Sequence, residues 1–304
     1  MNIIQIMKAL ADETRLRLVH LLQNQELNVN ELVTILGMGQ SRISRHLKIL
    51  SDAGVVTYRR DGLWSFYSLN KTEKLHPFLS ETAVLLRELP VVNEDARRMD
   101  VVIKQRTVQT TQLFDRLAAN WKHIKTELFG GLDLIQEIFR LIPPCHSVVD
   151  IGCGTGDLLL LLKEKAMAVI GVDNSPRMLE QARVNLDREE SIDLRLGNIE
   201  HLPLGDGEVE GAVINMVLHH SDAPINILKE ANRVLKPRGH LVLADFKKHN
   251  QEFMRTRYGD RHLGFDPHEL KAYFRKCHFT VSNEADYPLP GGLKIILFVT
   301  EKEE

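Results

Sequence analysis

Apolar residues recur at helical spacing through the first third of the chain and at strand spacing through the last half. Residues 3–22 place Ile3, Ile6, Leu10, Leu16, Val19 and Leu22 on repeating helical positions. Asp12 interrupts this run and is suited to cap a second helix. A further helix is predicted over Val29–Leu36 and stopped by Gly37, a residue that tolerates the left-handed conformation. Gly37-Met38-Gly39-Gln40 then turns the chain. Ser41 is expected to cap a helix over 42–53, with Ile43, Leu47 and Leu50 inward and Gly54 at its end. Two helices joined by a short glycine-containing turn make a helix-turn-helix. Two β-rich stretches, 55–59 and 64–69, follow across Arg60-Asp61-Gly62-Leu63, where Asp-Gly signals a hairpin. A helix over 73–89 carries the stripe Leu75, Phe78, Leu79, Leu85, Leu86 and Leu89, and Pro90 is expected to end it.

Residues 94–128 are polar and helix-forming. Gly130-Gly131 is a natural hinge, a helix reaches Leu141, and Pro143-Pro144 marks the start of a second core. Beyond it, β-rich runs at 147–151, 168–172, 192–196, 211–217 and 240–246 alternate with helical stretches at 157–165, 176–187 and 223–235. Such alternation predicts an α/β domain with a parallel sheet covered by helices. The expected division is an N-terminal winged helix-turn-helix domain over 1–90, a helical connector or lid over 91–130, and an α/β domain over 131–304.

The chain has 304 residues with 43% hydrophobic content, enough for two cores. Net charge is −2, so nucleic-acid affinity must come from a local patch. Such a patch exists: Arg42, Arg45, Lys48, Arg59 and Arg60 stand against Asp52. Major-groove readers use the first residues of a recognition helix. The expected DNA contacts are therefore Gln40, Ser41, Arg42, Ser44, Arg45, His46 and Lys48, with Arg59 and Arg60 from the hairpin. The N-terminus lacks the pattern of a signal peptide. The leucine run 158–162 is far too short to span a bilayer, and Cys145, Cys153 and Cys277 show no metal-type pairing. A cytoplasmic protein without a membrane partner is the expectation.

The loop Gly152-Cys153-Gly154-Thr155-Gly156 follows the first predicted strand of the second core. Glycines there let a ligand approach the backbone, and the next helix would offer free N–H groups. Asp173 ends the second strand, placed to accept from two ribose hydroxyls. His219 and His220 follow the fourth strand, where they can orient or deprotonate an acceptor.

The first 90 residues resemble the ArsR family of dimeric bacterial repressors, through Leu10-Ala-Asp-Glu-Thr-Arg-Leu-Arg-Leu-Val-His-Leu-Leu22 and the recognition segment 41–56. The resemblance implies double-stranded operator DNA as partner and a homodimer formed through this domain. Arsenical sensors of that family carry two cysteines where this chain has Asn28 and Asn30, and an amide is a poor ligand for soft metals. His76, with Glu73 and Glu81, does not match the zinc-type spacing either, so no metal is expected.

The second half resembles class I S-adenosylmethionine (SAM)-dependent methyltransferases, with their Rossmann-like seven-stranded sheet. The matching segments are 148–156, 171–179, 197–203, 216–220 and 234–243, and Leu113-Phe114-Asp115-Arg116 with Trp121 resembles a cover segment of that family. The resemblance implies that Asp150, Gly152, Cys153, Gly154 and Gly156 hold the methionine end of SAM, with Asn215 also among the cofactor-binding residues. Asp173 would take the ribose, and Met178, Asn198 and Ile199 the adenine, with Asn174 a further cofactor-binding residue and S-adenosylhomocysteine as product. It also implies an antiparallel strand over 293–300. Relatives acting on arsenic gather several cysteines around the acceptor, and the three here form no such set. No Asn/Asp-Pro-Pro-Tyr motif of DNA methylation follows the fourth strand, where Asn215-Met216-Val217-Leu218 stands. Two readings stay open: a regulator whose second domain methylates a small-molecule acceptor, or one whose second domain only senses SAM or S-adenosylhomocysteine.

Overall fold

The computed structural model describes residues 3–23, 25–72, 75–187, 189 and 191–304. Glu73 lies outside the described residues, as does the side chain of His76. The chain divides into two compact units, Met1–Val108 and Gln109–Glu304. Residues 91–130, expected as a separate connector, are shared between them.

In the first unit, α1 (Ile3–Leu10) and α2 (Glu13–Leu22) are separated at Asp12, whose carboxylate accepts the Arg15 N–H at 3.0 Å and caps α2. A short β1 (Leu27–Asn28) leads into α3 (Val29–Leu36), which Gly37 closes at φ 64°. Next, α4 (Gln40–Asp52) starts earlier than expected, because the Gly39 carbonyl already accepts the N–H groups of Arg42 and Ile43. Gly39 is thus the cap, and Ser41 lies inside the first turn. The hairpin is β2 (Val56–Asp61) and β3 (Trp64–Leu69), paired antiparallel around Gly62, with β1 added on the β3 side. α5 (His76–Leu86) follows. Leu18, Leu32, Ile43, Leu47, Val56, Leu69 and Leu79 form one core, the helical and strand periods turning their apolar faces to one interior. Pro90 opens a helix rather than closing one. Its ring fixes φ for a first turn and its missing N–H costs nothing there, so α6 (Pro90–Leu117) begins at it. In its first turns Asp95 forms a buried two-point pair with Arg17, at 2.6 and 2.7 Å.

The second unit begins with α7 (Trp121–Phe129) and α8 (Leu134–Leu141). Then come β4 (Cys145–Ile151), α9 (Leu159–Leu162), β5 (Ala166–Asp173), α10 (Pro176–Asn185), β6 (Ile192–Leu196) and β7 (Val209–Asn215). The unit ends with α11 (Pro224–Val234), β8 (Leu235–Phe246), α12 (Phe253–Tyr258), α13 (Pro267–Lys276), β9 (Phe279–Pro288) and β10 (Lys294–Lys302). The sheet order is β6-β5-β4-β7-β8-β10-β9, parallel throughout except that β10 runs antiparallel to β8 and β9. The expected tail strand is β10, one place inside the edge.

Strand alternation splits the core in two. Val148, Val213 and Val242 pack with α8 and α12 residues such as Ile138 and Met254. Val149, Ala212 and Leu241 pack with Ile227 of α11 and Phe274 of α13. Both faces of the central strands are covered, which is why they read as near-continuous apolar runs. The helix expected over 157–165 shortens to the four residues of α9. Strand order reverses direction between β4 and β7, and ligands in open α/β sheets bind beyond the strand ends at such a point.

Candidate functional site

The outer face of α4 presents Gln40, Ser41, Arg42, Ser44, Arg45 and Lys48, all exposed, between the buried Ile43 and Leu47. Two expected DNA contacts are placed otherwise. The His46 ring turns toward α2, with Nδ1 3.6 Å from Asp12 Oδ1, and burial lowers its pKa despite that carboxylate. Arg59 is enclosed by acids: it donates to Glu26 at 2.9 and 3.1 Å and to Asp61 at 2.7 Å, with its guanidinium 4.5 Å above Phe66. Its charge is spent inside the hairpin, whereas Arg60 is exposed. The intended thiolate position of arsenical sensors is also committed. Asn28 is buried and caps α3, accepting the Glu31 N–H at 3.1 Å while Glu31 accepts the Asn28 N–H at 2.8 Å.

In the second unit the glycine loop leaves the end of β4 beside the reversal point. Gly152 has φ 79°, and a Cβ there would lie 2.4 Å from Val217 Cγ2, so only glycine fits. Gly154 (φ 52°) passes beneath Trp121, whose Nε1 would lie 3.9 Å from an added Cβ. Asp150, one residue from the end of β4, is buried, and its Oδ1 has no hydrogen-bond partner. Burial pushes its carboxyl up to about 7, Asp173 adds to this and Lys125 opposes it. Lys125 on α7 is itself lowered to about 8 by burial, and it pairs with Asp157 in the loop. Across the reversal point, the Asn215 Oδ1 is likewise buried without a partner.

Asp173 ends β5 and accepts the N–H groups of Gly154 at 2.9 Å and Ser175 at 2.8 Å. Burial still raises its pKa. A carboxylate has about four acceptor sites, so capacity remains for a ligand hydroxyl. Ser175 caps α10 through the Met178 N–H and donates its hydroxyl to Asp115 at 2.6 Å. Asn174 is half-buried between them, Met178 is buried, and Cys153 is a buried thiol held well above its usual range by burial. Asn198 is exposed, and its Oδ1 already accepts the Glu200 N–H at 2.8 Å. The neighbouring Ile199 is half-buried against the core.

Aromatic rings link this loop to the histidine pair. Phe114 meets Trp121 edge-on at 5.7 Å and His220 at 4.8 Å. His219 is buried, with Nδ1 2.7 Å from Asp245 Oδ1. Burial disfavours its charged form, but Asp245 and Asp260 outweigh that and raise its pKa to about 8. Burial and the neighbouring His219 lower that of His220. Sequence reasoning missed Lys125, Ser175, Asp245 and Asp260. Asp245 sits at the carboxyl end of β8, where the strand-end rule points. No local motif marks Asp260.

Comparison with known proteins agrees with this architecture. Residues 149–243 match the methyltransferase domain family, and residues 12–58 match the bacterial regulatory protein, arsR family. An arsenite methyltransferase of Halobacterium salinarum is 34% identical over 112 residues, covering 35% of this chain and 29% of that protein. A demethylmenaquinone methyltransferase of Tropheryma whipplei is 31% identical over 169 residues, covering 53% of this chain and 68% of that one. The chain spans about 30% of the length of the first curated relatives it matches. A structure containing the Haloferax volcanii Trm112 methyltransferase activator and a candidate methyltransferase superposes with a TM-score of 0.53 at 20% identity, covering 63% of this chain and 98% of that one. Among the described residues no helix is long and apolar enough to cross a membrane. An arsR-family helix-turn-helix and a methyltransferase domain are joined in one polypeptide, and through its second unit the chain belongs to the methyltransferase family.

Proposed function

We propose that this protein is a DNA-binding transcriptional regulator whose second unit binds SAM and transfers its methyl group to a small-molecule acceptor. The observation that carries the reading is the partnerless Asp150 Oδ1, buried beside the glycine loop at the reversal point of the sheet. A buried acceptor left unsatisfied is costly, and the ammonium of an amino-acid ligand would relieve it. Asn215 Oδ1 adds a second such acceptor.

The residues fit the cofactor in order. Asp150 and Asn215 hold the amino-acid end, and Gly152, Cys153, Gly154 and Gly156 lend it backbone. Asp173, with Asn174 beside it, accepts from the ribose hydroxyls. Met178 and Ile199 wall the adenine, and the Asn198 oxygen meets its edge with the lone pair that Glu200 leaves. The group supplies a methyl already activated on a sulfonium, so the protein's task is alignment and exclusion of water. Phe114 and Trp121 provide the cover. His219 and His220 shape the acceptor side as positioning residues. The acceptor is not assigned as arsenite. Burial raises the pKa of all three thiols, and Cys145 opens β4 while Cys153 follows it and Cys277 ends α13.

On the first unit, Gln40, Ser41, Arg42, Ser44, Arg45, Lys48 and Arg60 serve operator DNA. The exposed apolar residues Ile3, Ile4 and Met7 of α1 and Val84 and Leu85 of α5 support a homodimer through this unit. Titration calorimetry with SAM tests the reading. The wild-type protein should give a saturable heat, and Asp173→Ala should weaken binding about tenfold or more. No heat with the wild type, or equal affinity in the variant, would overturn it. Operator binding that responds to SAM without S-adenosylhomocysteine formation would make the second unit a sensor instead.

A further inference from the structure

We propose that His219, His220 and Asp260 form a binding site for a divalent transition-metal ion of the zinc type. The three donors come from two segments, the turn after β7 and the residue after Gly259 at the end of α12. His219 Nε2 and His220 Nδ1 each lie 3.8 Å from Asp260 Oδ1, and one donor atom from each residue falls within 4.8 Å of the others. At 3.8 Å these atoms are gathered without hydrogen-bonding one another. Donors around a tetrahedral ion at about 2.0–2.2 Å stand about 3.3–3.6 Å apart. The two 3.8 Å pairs close with a few tenths of an ångström of side-chain movement, and the widest spacing, up to 4.8 Å, with about an ångström.

The surroundings prepare His219 for this task. A metal-binding imidazole generally donates its other N–H to a carboxylate, which fixes ring and tautomer. His219 has that arrangement: Nδ1 is 2.7 Å from Asp245 Oδ1 and so donates to it, leaving Nε2 as the ring nitrogen that faces Asp260. Asp245 is itself held, accepting the N–H groups of Phe246 at 2.7 Å and His219 at 3.3 Å. The two donor segments are pinned by backbone, since the His219 carbonyl accepts the N–H groups of both Arg261 and His262 at 2.9 Å. The two donor segments are therefore held together before any ion binds.

Charge points the same way. Two carboxylates, Asp245 and Asp260, are buried around two imidazoles, and buried charge demands compensation. A divalent ion would contribute to that compensation while leaving the imidazoles neutral. Two nitrogens and one oxygen suit zinc, cobalt(II) or iron(II) over the oxygen-preferring magnesium and calcium. Three protein donors leave a coordination position for water or an acceptor oxygen, beside the Phe114 ring that packs on His220.

The experiment strips the full-length protein with a chelator, titrates zinc, and measures bound metal after gel filtration. Cobalt(II) absorption then reports the donor set. The wild type should take up one equivalent, and cobalt should give a visible spectrum of low coordination number. His220→Ala and the near-isosteric Asp260→Asn should each weaken uptake about tenfold or more, with circular dichroism confirming the fold. A wild type that retains no zinc overturns the proposal. So does equal uptake in a folded Asp260→Asn variant, which would place the ion elsewhere. The measurement needs no SAM, so its failure is separate from failure of the proposed transferase.

Discussion

The two units treat buried charge in opposite ways. In the first, buried or half-buried ions come in pairs: Arg17 with Asp95, Arg59 with Glu26 and Asp61, and Arg106 with Glu31 at 2.8 Å. In the second, carboxylates gather at the strand ends with less than they can bind. Asp150 keeps an oxygen without a partner, and Asp173 accepts one backbone N–H on each oxygen, short of the roughly four a carboxylate can take. Paired charge holds a surface in shape. Underpaired charge is a demand that a ligand can meet. This contrast fits the proposed function, with the first unit a fixed face for DNA and the second a receptor for a small ligand.

The largest effect should come from breaking a pair in the first unit. Asp95→Ala strands the buried Arg17 and is expected to cost about 3–5 kcal/mol, read as a shift in the denaturant midpoint. A cost below about 1 kcal/mol would mean that the pair is decoration and the comparison fails at its root. Next in size is the contrast between two arginines. Arg45→Ala should weaken operator binding about tenfold and lower the salt slope by about 1. Arg59→Ala should leave the slope alone and instead destabilise the hairpin by about 1–3 kcal/mol, because Asp61 is left buried beside it. If Arg59→Ala changes the slope as Arg45→Ala does, the hairpin charge is not internal.

A third test reads the second unit by pH. The carboxyl of Asp150 is raised to about 7, by burial first and then Asp173, with Lys125 opposing. Its folded pKa lies above its unfolded value, so the folded state holds the proton longer. Stability without ligand should fall as pH rises from about 4 to about 7 and level off above. A cationic ligand favours the ionised carboxylate, so SAM affinity should rise through pH 6 to 7. Asp150→Asn should flatten both trends, and a variant that keeps the wild-type slopes would assign the proton to another group.

Much of the fold was legible because its signals are local. Asp12 as a cap, Gly37 as a stop and the strand starts follow from one residue's preference or a short period. The misread boundaries had longer causes. Pro90 suits the first turn of a helix as well as the residue after one, and only the Arg17–Asp95 pair, across the unit, shows which applies. Ser41 is a good cap residue, yet the Gly39 carbonyl had already started the helix. The glycine loop and Asp173 were legible because a ligand's approach restricts residue type within a few positions. The partners of His46 and Arg59 were not legible because sequence displays charge but not what it pairs with, and Glu26 lies on the far side of the sheet order. Asp260 was invisible for the same reason: it meets His219 and His220 only after α11, β8 and α12 have been laid down.

The position of β10 bears on how the chain reaches its folded state during synthesis. Among the described residues β9 has no sheet neighbour except β10, and β10 also covers the outer side of β8. Until residues 294–302 emerge, the long, largely buried β8 presents an open edge, and β9 has nothing to join. Open apolar edges recruit other chains. The first unit draws its contacts from residues that emerge much earlier and can be complete while the sheet still waits for its inner strand. A nascent chain would then hold a finished first unit attached to an unfinished second, and the interval between the two is when it most needs protection from aggregation.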